Sequence, residues 1–363
     1  MLRKFRNEID RSLASFLTKV RVEYKLRLVN PILYDSIREF SLRKGKRIRP
    51  LLLILAYLGY SRGNTKPPQS LFNASTCIEF LHNFMLIHDD IIDCSDLRRG
   101  KPTLHRVLRR TIKCANPDKL GVDLAIIAGD IVYALAIDAF LAIDEDPLRK
   151  ERALKYFIQT AAFTAMGEFI DTVHGVDDIR NVKERDVFLN YSLKTARYTF
   201  DCPLVTGAIL AGAPEKEIAL LAEFGLLIGQ AFQIQDDVIG IYETEKNIGK
   251  SILSDLMEGK KTILVAHAYG HLRGMARKEF LRIFAKPKKT FSDLADVRKI
   301  FIASGSLEYA LKAVRVRAIK ADAILKRLTL RDKYRDLIAQ ALFKLFRQSQ
   351  DVADRNNISI RIH

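Results

Sequence analysis

The stretch from residue 79 to 106 limits the possible folds more than any other part of the chain; it reads EFLHNFMLIHDDIIDCSDLRRGKPTLHR. Its first half contains no Gly or Pro and is apolar enough for a buried helix. Five of its polar side chains fall within roughly one third of the helix circumference: Glu79, His82, Asp89, Asp90 and Asp93. Buried carboxylates must be paired or bind metal. The sequence therefore predicts a core helix with one chemically active face.

The carboxylates of this face suit divalent ions. Asp89 and Asp93 are four residues apart, close enough on a helix to share them. Oxygen ligands favour Mg²⁺ or Mn²⁺ over zinc. Arg98, Arg99 and Lys101 follow at once, which indicates a phosphorylated ligand, most simply a diphosphate. A solvated acidic surface is the alternative, but the apolar setting and a second acidic element argue against it.

The second acidic element is QAFQIQDDVIG, residues 230–240. Gln233, Asp236, Asp237 and Gly240 share one face of a helix that is otherwise apolar. We expect the two acidic stripes to face each other across a cavity, where a diphosphate bridges a cluster of divalent ions. Cations accompany both stripes and suggest two anionic ligands: Lys46, Arg47 and Arg49 before the first, Arg98, Arg99 and Lys101 after it, and Lys250, Lys260 and Lys261 after the second.

Helical periodicity recurs along the whole chain, and no strand-rich region is evident. We therefore predict an all-α fold. No Gly/Ser-rich or Pro-rich linker divides the chain, so we expect a single domain over residues 1–363, with a basic C-terminal part from about residue 271. The long helices are predicted at 3–27, 73–93, 120–143, 149–172 and 214–242, and a break is predicted at Pro203.

The charge is uneven. The net charge is +17, and residues 271–363 hold 22 Lys and Arg against 9 Asp and Glu. Basic patches bind nucleic acid, acidic membranes or anionic ligands. The tail lacks the interleaved aromatic residues of a single-strand binder, so we expect a solvated helical surface. We expect no nucleic-acid partner and at most peripheral membrane contact.

Location follows from cysteines and apolar tracts. Four scattered cysteines form no CxxC pair, which suits a reducing, cytoplasmic setting. The N-terminus reads as an amphipathic helix and not as a signal peptide. The longest apolar tract, residues 124–143, is broken by Asp130 and Asp138, so we expect no transmembrane helix.

Five motifs in order resemble the trans-prenyl diphosphate synthases, and the archaeal-type geranylgeranyl and farnesyl diphosphate synthases most of all. The resemblance covers roughly residues 20–300 and rests on GKRIRP (45–50), DDIID with RRGKPTLHR (89–106), KTA (194–196), FQIQDD (232–237) and GKSILSDLMEGKKT (249–262). It implies the isoprenoid synthase fold, a bundle of long, mostly antiparallel helices around a deep central cavity, and a homodimer.

The resemblance also implies residue roles. Asp89 and Asp93 ligate two Mg²⁺ ions and Asp236 a third, supported by Asp90 and Asp237, with Mn²⁺ as the expected substitute. The allylic diphosphate contacts Arg98, Lys194, Lys250 and Lys260, and isopentenyl diphosphate contacts Lys46, Arg49, His82 and Arg99. Thr195 and Gln233 line the developing allylic cation. Much of the family has a third Asp where this chain has Gly240, so no third carboxylate acts there.

The implied reaction is Mg²⁺-dependent head-to-tail condensation of isopentenyl diphosphate with dimethylallyl, geranyl or farnesyl diphosphate. Phe84 and Met85, five and four residues before Asp89, match the floor that limits chain length, which implies a C20 product with some C15. Phe84 lies off the acidic stripe on the helical wheel, so this role rests on the resemblance alone. A class I terpene cyclase of the same fold and a non-catalytic regulatory subunit remain as alternatives.

Overall fold

The computed structural model describes residues 1–61, 67–111, 113–243 and 253–362. Within these ranges every regular element is a helix apart from one two-stranded hairpin, which confirms the predicted all-α class. The chain divides into two compact units. The first comprises Met1–Phe157 with Pro203–Ala213, and the second Ile158–Cys202 with Pro214–His363. The expectation of one domain over residues 1–363 stays a prediction.

The first unit is built around one central helix. Its elements are α1 (Leu2–Glu23), α2 (Leu26–Val29), α3 (Pro31–Ser41), α4 (Ile48–Tyr60), α5 (Gln69–Ile92), β1 (Leu97–Arg98), β2 (Lys101–Pro102), α6 (Leu104–Leu108), α7 (Pro117–Leu141) and the start of α8 (Pro147–Val176). Helix α5 is the predicted central helix, and it begins four residues earlier than the periodicity indicated. Its apolar faces pack on α1, α4 and α7.

Close packing sets the position of α5. The ring of Phe80 lies 5.2 Å from that of Phe16 in α1. On the side of α7, a Cβ added to Gly129 would lie 2.4 Å from the His88 imidazole, so only glycine leaves room for that ring. His88 therefore has a packing role, which agrees with its position off the acidic stripe.

The second unit begins within α8, at Ile158, and includes the rest of that helix. It contains α9 (Glu184–Asn190), a π-helix (Tyr191–Asp201), α11 (Glu215–Tyr242), α12 (Ser254–Met257), α13 (Ile263–His271), α14 (Gly274–Phe284), α15 (Phe291–Ala303), α16 (Ser306–Arg327), α17 (Asp332–Phe343), a 3₁₀ turn (Lys344–Phe346) and α18 (Arg347–Arg355). Helix α10 (Cys202–Leu210) lies between the π-helix and α11 in the chain, and all but its first residue belongs to the first unit.

The π-helix replaces the break that the sequence predicted at Pro203. Residues 184–210 are helical without interruption, and the wide π geometry changes to α geometry at Cys202. Pro203 cannot donate the backbone hydrogen bond of a continuous α-helix, so the change of geometry takes place beside it. Helix α11 packs closely on the π-helix, because a Cβ on Gly229 would lie 2.3 Å from the Cα atom of Ala196.

The basic C-terminal part holds α11 from behind. The Gln235 side chain accepts hydrogen bonds from the Ser349 amide and hydroxyl, at 3.2 and 2.8 Å, and donates to the Leu345 carbonyl at 2.8 Å. At the end of α11, Arg355 donates to the buried carboxylate of Glu243. The region from about residue 271 therefore supports the helix that carries the second acidic stripe.

Two described helices, α7 and α11, are long and apolar enough to cross a membrane by length and composition. Their most apolar windows are 44% and 50% buried inside the protein. Core helices of water-soluble proteins share these properties, so this is weak support for a membrane span. The expectation of no transmembrane helix, like those of no nucleic-acid partner and at most peripheral membrane contact, stays a prediction.

Candidate active site

The first acidic motif ends α5 and is held by one arginine. Arg98 donates from Nε to Asp90 at 2.7 Å and from a terminal nitrogen to Asp89 at 3.0 Å. Burial raises the pKa of Asp90 to about 6, against the opposing effect of its hydrogen bond from Arg98. Asp89 and Asp93 are only partly buried, so both carboxylates have access to solvent.

A tight hairpin brings Arg98 back to α5. Leu97 pairs with Pro102 and Arg98 with Lys101. The two turn residues, Arg99 and Gly100, have φ values of 56° and 73°. Positive φ at both central residues is typical of the two-residue turns that match the twist of a hairpin. The motif RRG therefore has a local structural reason, since its Gly permits the turn.

Three of the side chains predicted for isopentenyl diphosphate come together in the first unit. A terminal nitrogen of Arg49 lies 3.1 Å from His82 Nε2, and one of Arg99 lies 3.5 Å from the same atom. Burial, and then the charges of Arg49 and Arg99, hold the pKa of His82 well below its usual value. A neutral imidazole accepts hydrogen bonds from these guanidinium groups. The fourth predicted residue, Lys46, is exposed.

Arg47 has a structural role that the sequence analysis did not assign. Its guanidinium is 2% exposed and donates to the equally buried carboxylate of Glu79 and, at 2.8 Å, to Asp10 of α1. It also donates to the Arg43 carbonyl at 3.0 Å. Glu79 is thus paired and is not available to a metal. Glu79 is ten residues from Asp89, the nearest Asp of the motif. This separation was the sequence signal that Glu79 does not act together with the aspartates.

In the second unit, Lys194 lies among carboxylates that the sequence analysis missed. Its Nζ is 2.9 Å from Glu168 and 2.6 Å from Asp171, both in α8. Asn190 donates to the other Asp171 oxygen at 2.8 Å. A Cβ on Gly167 would lie 2.4 Å from the Lys194 amide nitrogen, so the two backbones are in close contact. The spacing of Glu168 and Asp171 on one face of an otherwise mainly apolar helix was the available signal.

The second acidic motif is hydrogen-bonded to the π-helix. Thr195 donates to the Gln233 side-chain oxygen at 2.7 Å, and the Gln233 amide donates to Asp237 at 3.0 Å. Asp237 is buried, whereas Asp236 is exposed. Residue 240 is a buried glycine, so it supplies no carboxylate at the position where much of the family has a third Asp.

The cations after the second motif are partly described. Lys260 pairs with Glu258 at 2.8 Å and is about a third exposed. Lys261 donates to the Gly175 carbonyl at 2.9 Å, and burial lowers its pKa. Lys250 lies outside the described residues.

The donor atoms fit a hard divalent ion that also needs outside ligands. Within residues 1–61, 67–111, 113–243 and 253–362, no three His, Cys, Asp or Glu side chains converge enough to hold a metal ion by themselves. The accessible carboxylates of Asp89, Asp93 and Asp236 are oxygen donors, which Mg²⁺ prefers together with substrate phosphates and water. Asp89 and Asp93 belong to the first unit and Asp236 belongs to the second. That all three bind metal ions on the same substrate stays a prediction.

The sequence profile of the family described as polyprenyl synthetase matches residues 30–301 of this chain. The chain belongs to the polyprenyl synthetase family. It is therefore a prenyltransferase that elongates trans-prenyl diphosphates. This membership confirms the isoprenoid synthase fold. It does not determine the length of the product or the preferred primer.

Named relatives and solved structures agree with this membership of the synthetase family. The geranylgeranyl diphosphate synthase of Sulfolobus acidocaldarius is 32% identical over 286 residues, which cover 77% of this chain and 79% of that protein. The geranylfarnesyl diphosphate synthase of Aeropyrum pernix is 32% identical over 287 residues, or 78% and 84% of the two chains. The Corynebacterium glutamicum geranylgeranyl pyrophosphate synthase, solved with isoprenyl diphosphate and magnesium, has a TM-score of 0.85 at 26% identity and covers 96% of this chain and 99% of its own.

The buried Arg47–Glu79 pair of this synthetase predicts a stability effect. Glu79→Gln removes one charge and leaves Arg47 buried beside the half-exposed Asp10. We expect a loss of about 3 kcal/mol in the free energy of unfolding, measured by urea denaturation. Glu8→Gln, which breaks the exposed pair with Arg11, is the matched control and is expected to change it by less than about 1 kcal/mol. Equal losses in the two variants would contradict the structural role of the buried pair.

Proposed function

We propose that this synthetase condenses isopentenyl diphosphate head to tail with dimethylallyl, geranyl or farnesyl diphosphate in a Mg²⁺-dependent reaction. The convergence of Arg49 and Arg99 on His82 carries the proposal. These three side chains form an anion-binding cluster. It is separate from Arg98, whose guanidinium holds Asp89 and Asp90. A terpene cyclase binds one diphosphate and has no need of a second cluster.

The metal part of the proposal rests on donor chemistry. We propose that Asp89 and Asp93 hold two Mg²⁺ ions and that Asp236 holds a third, with Asp90 and Asp237 in support. Bound Mg²⁺ neutralises negative charge on the departing diphosphate. Mn²⁺ prefers the same oxygen ligands and is the expected substitute. The burial of Asp90 and Asp237 and their hydrogen bonds from Arg98 and Gln233 fit a supporting role.

The chain's own cations bind the allylic diphosphate. Arg98, Lys194, Lys250 and Lys260 supply fixed positive charge for a leaving group whose charge grows as the C–O bond breaks. Lys194 is held in position by Glu168 and Asp171 before substrate arrives, which supports a preorganised contact. The oxygen atoms of Thr195 and Gln233 stabilise the allylic cation as dipoles without forming a bond to it.

The remaining steps concern the second substrate and the proton. Lys46, Arg49, His82 and Arg99 bind the diphosphate of isopentenyl diphosphate and orient its alkene toward the cation. A proton leaves the new cation and passes to the departed diphosphate. The apolar helices exclude water, which would otherwise trap the cation.

The metal assignment predicts the effect of two substitutions. Asp89→Ala and Asp236→Ala each remove one carboxylate ligand, and we expect the rate of condensation to fall by at least about 100-fold because electrostatic stabilisation of the leaving group is lost. Purified protein, Mg²⁺, labelled isopentenyl diphosphate and each primer in turn provide the assay, with product length read by chromatography.

The control for these two substitutions is Asp144→Ala at an exposed loop position, which is expected to keep the rate of the unaltered protein. Circular dichroism is expected to show the same helix content in all three variants. Near-normal rates in Asp89→Ala and Asp236→Ala would refute the metal assignment, and an inactive unaltered protein would refute the proposed reaction.

Product length is the finer part of the proposal. We propose a C20 product with some C15, limited by Phe84 and Met85. Phe84 is half-buried, and its ring lies 4.9 Å from that of Tyr133 in α7 and 4.7 Å from His88. Such an aromatic cluster resists displacement by a growing chain, which supports a floor at this point. The named relatives include both geranylgeranyl and geranylfarnesyl synthases, so their names alone do not fix the length.

The floor predicts a change of product. Phe84→Ser removes the ring, and we expect products longer than those of the unaltered protein, by about one isoprene unit for each helical turn of about 5.4 Å that becomes available. Chromatography of the extracted prenyl alcohols measures the lengths. Phe291→Ser, at a side chain that is 61% exposed, is the control and is expected to leave them unchanged. An unaltered product distribution in Phe84→Ser would dismiss the floor.

We propose that the protein is a homodimer and cytoplasmic. Helix α8 exposes Met166 and Phe169, at 54% and 72%, and α7 exposes Ile127 at 54%. Exposed apolar side chains in such number favour contact with another copy of the chain. Sedimentation velocity at micromolar concentration is expected to show a species of about twice the chain mass of 41.3 kDa, and a purely monomeric profile would contradict this. The four cysteines are scattered and form no CxxC pair, which supports a reducing compartment.

A further inference from the structure

Tyr191 belongs to none of the sequence motifs, yet its hydroxyl joins two helices that carry predicted site residues to the start of a third helix. It lies in the π-helix three residues before Lys194 and is 5% exposed. The hydroxyl donates to an oxygen of Asp237 in α11 and accepts the backbone N–H of Ile263 at 2.9 Å. Both hydrogen-bonding functions of this phenol are thus occupied inside the second unit.

The direction of the contact with Asp237 is set by charge. Burial, and then the charge of Asp237, hold the pKa of Tyr191 well above its usual value. The hydroxyl keeps its proton and donates it to the carboxylate, which cannot donate when ionised. Hydrogen bonds to charged groups are stronger than those between neutral groups.

The contact with Asp237 is transmitted to the residues proposed to face the allylic cation. Asp237 accepts from the Gln233 amide nitrogen at 3.0 Å, and the Gln233 oxygen accepts from Thr195 at 2.7 Å. A side-chain amide can turn over by half a rotation, which exchanges its oxygen and nitrogen. The fixed acceptor at Asp237 selects one orientation, in which the Gln233 oxygen points to Thr195.

The hydrogen bond from Ile263 to the Tyr191 hydroxyl holds the start of α13. Helix α13 begins at Ile263, and the preceding Thr262 makes no side-chain hydrogen bond to the first turn. The Tyr191 hydroxyl satisfies the N–H of the first helical residue in its place. This fixes the chain directly after Lys260, the cation proposed to bind the allylic diphosphate.

We propose that Tyr191 is a positioning residue for the allylic half of the reaction. Its hydroxyl sets the orientation of Gln233 through Asp237 and holds the segment of Lys260 through Ile263. The inference rests on the proposed function for its kinetic consequence, whereas the structural part rests only on the four hydrogen bonds described above. Tyr191 itself does not contact the substrate. It fixes the Gln233 side chain and the segment of Lys260, which are the groups proposed to contact the allylic substrate.

The test replaces the hydroxyl and keeps the ring. Tyr191→Phe is expected to lower kcat about 10-fold and to raise KM for the allylic diphosphate about 10-fold, because misplaced groups lose much of their effect. KM for isopentenyl diphosphate is expected to stay unchanged, since its predicted ligands belong to the first unit. Hydrogen exchange of the Ile263 amide, followed by mass spectrometry in the protein without substrate, is expected to become faster.

Two tyrosines of the same unit, one buried and one partly buried, provide matched controls. Tyr334 is 2% exposed, and its hydroxyl has no hydrogen-bond partner in the described part of the chain. Tyr309 donates to Glu184 at 2.6 Å, so its removal costs a comparable bond elsewhere. Tyr334→Phe and Tyr309→Phe are expected to keep both KM values, kcat and the slow exchange of the Ile263 amide.

The outcomes separate positioning from general destabilisation. If Tyr191→Phe keeps the allylic KM and kcat of the unaltered protein, the proposal is overturned. It is also overturned if Tyr309→Phe produces the same kinetic losses. Slow Ile263 exchange in Tyr191→Phe would refute the anchoring of α13. Absence of activity in the unaltered protein would refute the proposed function, and the exchange measurement would still decide the structural part.

Discussion

The structure depends on balancing carboxylates that an apolar helix carries into the protein interior. Ionised Asp and Glu are strongly disfavoured there unless a cation and further hydrogen bonds accompany them. Arginine side chains balance the carboxylates of helix α5 at two places. Glu79 pairs with Arg47 inside the core, and one turn from the helix end Arg98 holds both Asp89 and Asp90. The first pair stabilises the fold, and the second keeps the partly exposed Asp89 and the buried Asp90 in place for chemistry.

The fold class and the catalytic family were predictable because they depend on patterns that repeat or occur in order. Period and apolar content predicted α5 and α11 to within a few residues, and the five ordered motifs led to the family that the sequence profile confirms. Helix boundaries were less accurate at Pro203. A proline ends an isolated α-helix, but the π-helix before it continues without a gap because tertiary packing against α11 supports it.

The contacts of the site were only partly predictable. Sequence motifs brought Arg49, His82 and Arg99 to notice, and the structure places them together. Glu168 and Asp171 were missed although their spacing in α8 was a visible signal, and Tyr191 was missed because its partners lie in elements that are distant in the sequence. No local pattern distinguishes a tyrosine that joins three elements from one that fills a core, as the comparison of Tyr191 with Tyr334 makes plain.

The π-helix has a consequence for how the sequence tolerates change. Wider turns place an extra residue in each turn relative to an α-helix, so the register of the side chains depends on the total number of residues between 191 and 201. Loss of a single residue there would turn every later side chain of the helix by about 100°. This segment is therefore intolerant of insertion or deletion, so the number of its residues is constrained as strictly as the identity of its site residues.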